Sequence, residues 1–170
     1  MRRVLFIIFA LTTSLFTFGQ ATVNGSFEEL KNVSKINLEI DFSNAIIHGM
    51  TEKDFSIYEK DWYKDQPEIY HALREPMQDK LKDRLCVGKL IESPYKIKVC
   101  VSSINNYGDY HCYAVITNNT GNTIATISKI KGAGGVFGSK LNLIKDGAKS
   151  VGKILGDILK RELRKVDHKK

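Results

Sequence analysis

The chain has 170 residues, 42% apolar and 26% charged, with 26 Lys and Arg against 19 Asp and Glu. That balance excludes a disordered or low-complexity chain, and no internal repeat is present, so a repeat array is excluded too. Less an N-terminal leader, the length suits one domain of roughly 150 residues.

The leader comes first. Arg2 and Arg3 precede an uncharged apolar run over residues 4–18, and Thr17-Phe18-Gly19 supplies small residues where a signal peptidase reads. The run is shorter than the roughly 20 residues that span a bilayer, so residues 1–21 read as a secretory signal peptide cut near Gln20. No cysteine lies near the cut, which argues against a lipid-anchored lipoprotein. The expected location is therefore the periplasm or the exterior. With the two arginines removed, a net charge of +5 remains. Much of it sits in Lys160, Arg161, Arg164, Lys165, Lys169 and Lys170. Cations are favoured at a helix C-terminus, and residues 167–170 read as a solvated basic tail. Peripheral contact with anionic lipid headgroups is the functional alternative.

Residues 22–33 lack periodicity and read as a lead-in to a single domain over 34–166. Residues 34–42 alternate, Ile36, Leu38, Ile40 and Phe42 against Lys35, Asn37, Glu39 and Asp41, which predicts a half-buried strand. Thr51 with Asp54 marks a helix start, and Phe55, Tyr58 and Trp62 fall on one helical face as core. Asp65-Gln66-Pro67 restarts a helix. Pro76 predicts a break or kink at Glu75, with Met77, Leu81 and Leu85 as the next apolar stripe. Three strands follow over 95–104, 109–117 and 123–130, joined by the turns Asn105-Asn106-Tyr107-Gly108 and Asn118-Asn119-Thr120-Gly121, an antiparallel meander. After a glycine-rich stretch, Ser139 caps a long helix whose buried face is Ile144, Ala148, Val151, Leu155, Ile158 and Leu159. The expected order is β-α-α-β-β-β-α: an α+β fold with an antiparallel or mixed sheet of about four strands and helices on one face.

Residues that carry chemistry are sparse. The segment Gly132-Ala133-Gly134-Gly135-Val136-Phe137-Gly138-Ser139-Lys140 lies where phosphate loops lie, but it has neither the Gly-Lys-Ser/Thr order nor the third glycine of a dinucleotide fingerprint. It reads as a flexible connector. Cys86, Cys100 and Cys112 are an odd set: a Cys100–Cys112 cross-strand disulfide and three small buried hydrophobes are both open readings. Neither their spacing nor that of His48, His71, His111 and His168 suits a metal, and no cofactor is expected. His111 beside Cys112 is not a dyad, because neighbours on a strand face opposite sides. Ala148, Gly152 and Gly156 form a small-residue ridge on the last helix, which packs against its own sheet or against another subunit.

The passage from Ile36 to Phe55, then Asn119-Thr120-Gly121-Asn122, Ile124-Ala125, the glycine-rich loop and the helix beginning near Leu141 resemble a group of small bacterial envelope domains. These include the periplasmic domain of the curli-secretion lipoprotein and the N-terminal domain of the Tol-system periplasmic protein. The ending Phe18-Gly19-Gln20 is similar to those of Bacteroidetes exported proteins. The resemblance implies an assembly or interaction module, and it carries over no catalytic residue. The expected function is thus a non-enzymatic exported domain that binds an envelope protein or glycan, and no nucleic acid. Its surfaces would be the polar sheet face (Lys35, Asn37, Glu39, Lys96, Lys98) or the Ala148–Gly152–Gly156 ridge, the latter by self-association. The alternative is a small thiol-dependent enzyme or hydrolase using Cys86 or Cys112 with a distant histidine.

Overall fold

A computed structural model describes residues 21–89 and 91–169. The signal-peptide expectation falls on residues outside this range, Ala21 apart. Strands are β1 (Thr22–Gly25), β2 (Lys35–Asp41), β3 (Ile46–Ile47), β4 (Met50–Thr51), β5 (Cys86–Gly88), β6 (Lys96–Ile104), β7 (Tyr110–Thr117) and β8 (Thr123–Gly132). Helices are α1 (Glu52–Tyr58), α2 (Trp62–Leu81) and α3 (Lys140–Asp167), with a 3-10 turn at Glu28–Leu30.

The fold is α+β, but the sheet has eight strands rather than about four, in the order β1-β8-β7-β6-β2-β5 with the β3–β4 hairpin beside β6. The meander β6-β7-β8 is antiparallel as expected, while β2 lies parallel to both β6 and β5. The added strands are short and left little pattern. Residues 22–25 lie within the expected lead-in, yet Thr22–Gly25 pairs with β8, from Thr22 opposite Ser128 to Gly25 opposite Ala125. The β3–β4 hairpin turns at His48 and Gly49, both at positive φ (51° and 81°).

Alternation in β2, β6 and β7 turns Ile36, Leu38, Ile97, Val99, Val101, Tyr110, Cys112, Ala114 and Ile116 inward to the helices. The helices cover one face. Thr51 caps α1, its Oγ1 accepting from the Asp54 amide at 3.2 Å. The aromatic stripe predicted across α1 is split, because the chain turns between Tyr58 and Trp62. Phe55 and Trp62 pack edge to face at 5.1 Å, as do Phe42 and Trp62, while Tyr58 is 61% exposed beneath the Lys140 ammonium.

The break expected at Glu75 does not occur. Helix α2 is continuous with Pro67 and Pro76 inside it, and it begins at Trp62, upstream of the predicted restart. An internal proline costs a helix about 3 kcal/mol. Full burial of Ile69, Leu73 and Met77 on the same helix, each worth about 1.5–3 kcal/mol, outweighs it.

Ser139 caps α3 as predicted, its Oγ accepting from the Asn142 amide at 3.3 Å. Helices α2 and α3 run parallel, from Lys145–Glu68 near one end (2.8 Å) to Arg84–Asp167 at the other (2.8 Å). The small-residue ridge is used here and not between subunits. A Cβ on Gly152 would lie 2.0 Å from the Leu73 carbonyl oxygen, and one on Gly156 would lie 2.8 Å from the Lys80 Cβ. Ala148, Gly152 and Gly156 are all buried.

Candidate functional site

Where β2 leaves its outer partner, the sheet edge opens. Strand β5 pairs only with Lys35, Ile36 and Asn37 of β2, whereas β6 follows β2 from Asn37 to Asp41 on its other side. The Asn37 amide donates to the Tyr95 carbonyl at 3.0 Å, so alternate residues Leu38 and Ile40 turn their backbone groups the other way, toward the edge. The pairing with β5 ends at Gly88, opposite Asn37 and so within reach of the Leu38 amide alone; among the described residues no strand meets the Leu38 carbonyl or the backbone groups of Ile40.

Beside this edge lies a groove of about 1080 Å³, floored by Leu38, Ile40 and Phe42 and walled by α2 and by Gly88, Lys89, Ile91 and Glu92. The α2 wall is a single stripe: Tyr63, Gln66, Pro67, Tyr70, His71 and Arg74 recur at helical spacing next to the buried stripe of Trp62, Ile69 and Leu73. Neither the open edge nor this polar-aromatic stripe is among the surfaces expected from sequence. The spacing was legible, but only the fold shows that this face of α2 looks onto an unpaired strand.

The opposite wall is held by side chains. Asn37 Oδ1 accepts from the Ile91 amide at 2.8 Å, and its Nδ2 donates to the Ser93 carbonyl at 3.3 Å. Arg74 Nε donates to the Val87 carbonyl at 2.7 Å, and the Val87 amide donates to Gln78 Oε1 at 2.8 Å. The groove is thus preformed. Tyr63 is 60% exposed at its mouth. Deeper, the Tyr70 hydroxyl is buried without a hydrogen-bond partner among the described residues, and burial raises its pKa above the ordinary tyrosine value. An unpaired buried hydroxyl costs about 1–3 kcal/mol, which a ligand that pairs it would recover.

Of the expected surface residues, Asn37, Glu39 and Lys96 line this groove, with Glu39 and Lys96 paired across strands at 3.0 Å. Lys98 shares the polar sheet face but points away to Asp41 at 2.7 Å, and Lys35 is exposed at the start of β2. The Cys100–Cys112 bridge is not formed. Cys100 is opposite Tyr113 and Cys112 opposite Val101, which puts the two thiols on opposite faces of the sheet, and both are free. Burial pushes the Cys112 thiol up to about 12, whereas Cys86 is exposed. His111 is exposed on the face away from Cys112. Among the described residues no cluster of His, Cys, Asp and Glu could hold a metal ion.

Fold and groove together define an α+β domain with helices on one sheet face and an open strand edge beside an aromatic-lined cleft. No family model matches the chain, and no curated protein does either. It is similar in outline to the PelC dodecamer from Paraburkholderia phytofirmans, at 9% identity and a TM-score of 0.47 over 81% of this chain and 97% of that one. It is similar also to a single-residue variant of that dodecamer, at 10% identity and a TM-score of 0.45 over 81% and 96%.

Proposed function

We propose that the chain is a non-enzymatic binding domain exported to the cell envelope, and that it takes an extended segment of an envelope protein along residues 38–41 of β2. The observation that carries this is the unpaired β2 edge at the floor of a preformed groove. An added strand would satisfy the Leu38 carbonyl and both outward backbone groups of Ile40, and side chains on alternate residues would meet Phe42, Tyr63 and Tyr70. Export itself rests on the leader pattern of residues 1–21, and the likeness to envelope assembly domains belongs to the same proposal. No helix among the described residues is long and apolar enough to cross a membrane.

The thiol-enzyme alternative loses its buried candidate. A thiol held near 12 supplies almost no thiolate at neutral pH, and only the thiolate is a nucleophile. Alkylation of the folded protein should modify Cys86 and spare Cys112. Rapid modification of Cys112 would reopen that reading.

In-cell photocrosslinking tests the binding site. A photoreactive residue at Tyr63 should capture one dominant envelope protein, and Ile40→Pro, which removes an edge donor while leaving the β6 ladder intact, should abolish capture. Capture from position Tyr113 on the open sheet face, with none from Tyr63, would move the site off the groove. Co-purification of a glycan with no protein crosslink would replace the peptide by a sugar ligand.

A further inference from the structure

The groove beside β2 is open at one end and closed at the other. Helix α2 runs along it against the direction of β2. Trp62 packs on Phe42 at 5.1 Å just beyond the end of β2, and further along the helix Arg74 reaches Val87, which lies opposite Ile36 near the start of β2. The mouth is thus at Phe42 and Tyr63. The far end is blocked. Strand β5 occupies the β2 edge as far as Asn37. The two backbone groups that Val87 turns outward are already taken, the carbonyl by Arg74 Nε at 2.7 Å and the amide by Gln78 Oε1 at 2.8 Å. Ile91 covers Gly88, where a Cβ would strike the Ile91 Cδ1, and Ser93 Oγ ties this segment back to the Lys35 carbonyl at 2.7 Å. A strand that enters at Tyr63 and pairs with Ile40 and the Leu38 carbonyl therefore meets no further free edge. It has to end beside Arg74 or turn out of the groove.

The charges at the closed end decide between the two. Arg74 uses Nε on Val87, and its two terminal nitrogens have no partner among the described residues. Lys89, exposed on the facing wall, has no ion-pair partner among them either. Of the other charged groups lining the groove, Lys96 and Glu39 answer each other at 3.0 Å, which leaves Glu92 as the one unpaired acid. Two unpaired cations against one acid favour an anionic end group. A planar guanidinium already fixed through Nε presents its remaining N–H groups as a fork that fits a carboxylate. An α-amino terminus brought to the same place would be repelled by both cations.

We infer, on the basis of the strand-addition reading above, that the occupant of the groove is the C-terminal tail of an envelope polypeptide, bound antiparallel to β2 with its free α-carboxylate at Arg74 and Lys89. Direction, end point and sequence preference all follow. Side chains of such a tail alternate, one set against Tyr63, Pro67 and Tyr70 of α2 and the other toward Glu39 and Lys96 on the polar side. The first set should be apolar or aromatic and the second polar. The chain's own C-terminus ends in Lys169-Lys170, of the same sign as the closed end of the groove, so a second copy does not supply the tail.

The test uses the full chain as isolated from an exporting host. The probe is a library of short synthetic peptides with alternating apolar and polar positions, made once as free acids and once as C-terminal amides. The free acids should bind at least about tenfold more tightly than their amides, the effect of losing a charge-assisted pair. That ratio is read on the wild-type protein and needs no variant to fold. Lys89→Gln, at an exposed position, should narrow the ratio, and Arg74→Gln should bring the free acids down to the level of the amides while amide binding and circular dichroism stay unchanged. Equal or tighter binding of the amides, with both forms lost on Ile40→Pro, would overturn terminal capture and leave strand addition intact. A ratio that persists with Arg74→Gln and Lys89→Gln combined in a folded protein would overturn the assignment of the carboxylate to these two residues. Binding that Ile40→Pro leaves unchanged, or no binding of either form, would overturn both the tail and the strand-addition reading beneath it.

Discussion

Asp41 holds two partners at the edge of the polar face: Lys98 donates to it at 2.7 Å and the Ser43 amide at 2.9 Å. Together they keep its carboxyl at about 2, against an ordinary value of 3.8. A carboxylate with a depressed folded value stabilises the fold above its unfolded value, and the contribution is lost as pH falls from about 4 toward about 2. Urea titrations should therefore show Asp41→Asn less stable than wild type at neutral pH, with the gap closing across that acid window; a gap that stays constant to about pH 2 would refute the linkage. Tyr110 poses the opposite problem. It is 1% exposed, and its hydroxyl has no partner among the described residues. Tyr110→Phe should raise stability by about 1 kcal/mol, because the desolvation cost of that hydroxyl disappears. A loss of stability would mean that an ordered water pairs it. Neither role was visible in sequence, where Asp41 read as one more polar residue on an alternating strand and Tyr110 as one more strand aromatic.

At the level of elements, the closing helix divides cleanly into what pattern could and could not say. Its cap at Ser139 and its buried face from Ile144 to Leu159 follow from spacing alone, and the structure reproduces both. The destination of Gly152 and Gly156 does not follow, because a small-residue ridge is the same sequence signal whether it meets a subunit, a sheet or a neighbouring helix. Gly152→Ala distinguishes these. On an open ridge, alanine would add up to about 1 kcal/mol through helix propensity. Here its Cβ would sit 2.0 Å from the Leu73 carbonyl oxygen, backbone that cannot step aside, and overpacking of that kind costs about 1–3 kcal/mol. The clash should win, and chemical denaturation should show a net loss; a gain would mean that α2 and α3 are further apart. Helix α2 teaches the same lesson through Pro76. Local rules predict a break there, and burial of the helix against α3 and the sheet overrides them.

For the whole molecule, the two edges of the sheet are treated differently. At one edge the four-residue β1 covers part of β8, a ten-residue strand that would otherwise present a long unpaired ladder. At the other, β5 covers only three residues of β2 and leaves the rest beside the groove. Exposed edges template association with other chains. Deleting residues 21–25 should therefore cause self-association of a folded protein, read as a rise in mass by light scattering at unchanged helix content. A deletion variant that remains monomeric would show that β8 is protected by its own twist and its bulge at Lys129, where φ is 59°.

The sequence by itself determined the long, strongly periodic elements: the alternating strand β2, the antiparallel meander, the capped closing helix and the helices-on-one-face α+β class. In these, hydrophobic spacing and turn chemistry act over a few residues and need no distant partner. Only the tertiary structure decided the rest. Strands of two to four residues carry too little pattern to announce themselves, and they form because an existing edge accepts them. Which thiols could meet depended on a register in which Cys100 and Cys112 miss each other by one position. The groove exists because β5 stops short of its neighbour, bringing residues 38–41 beside a helix face some thirty positions further on, a juxtaposition that local sequence does not encode.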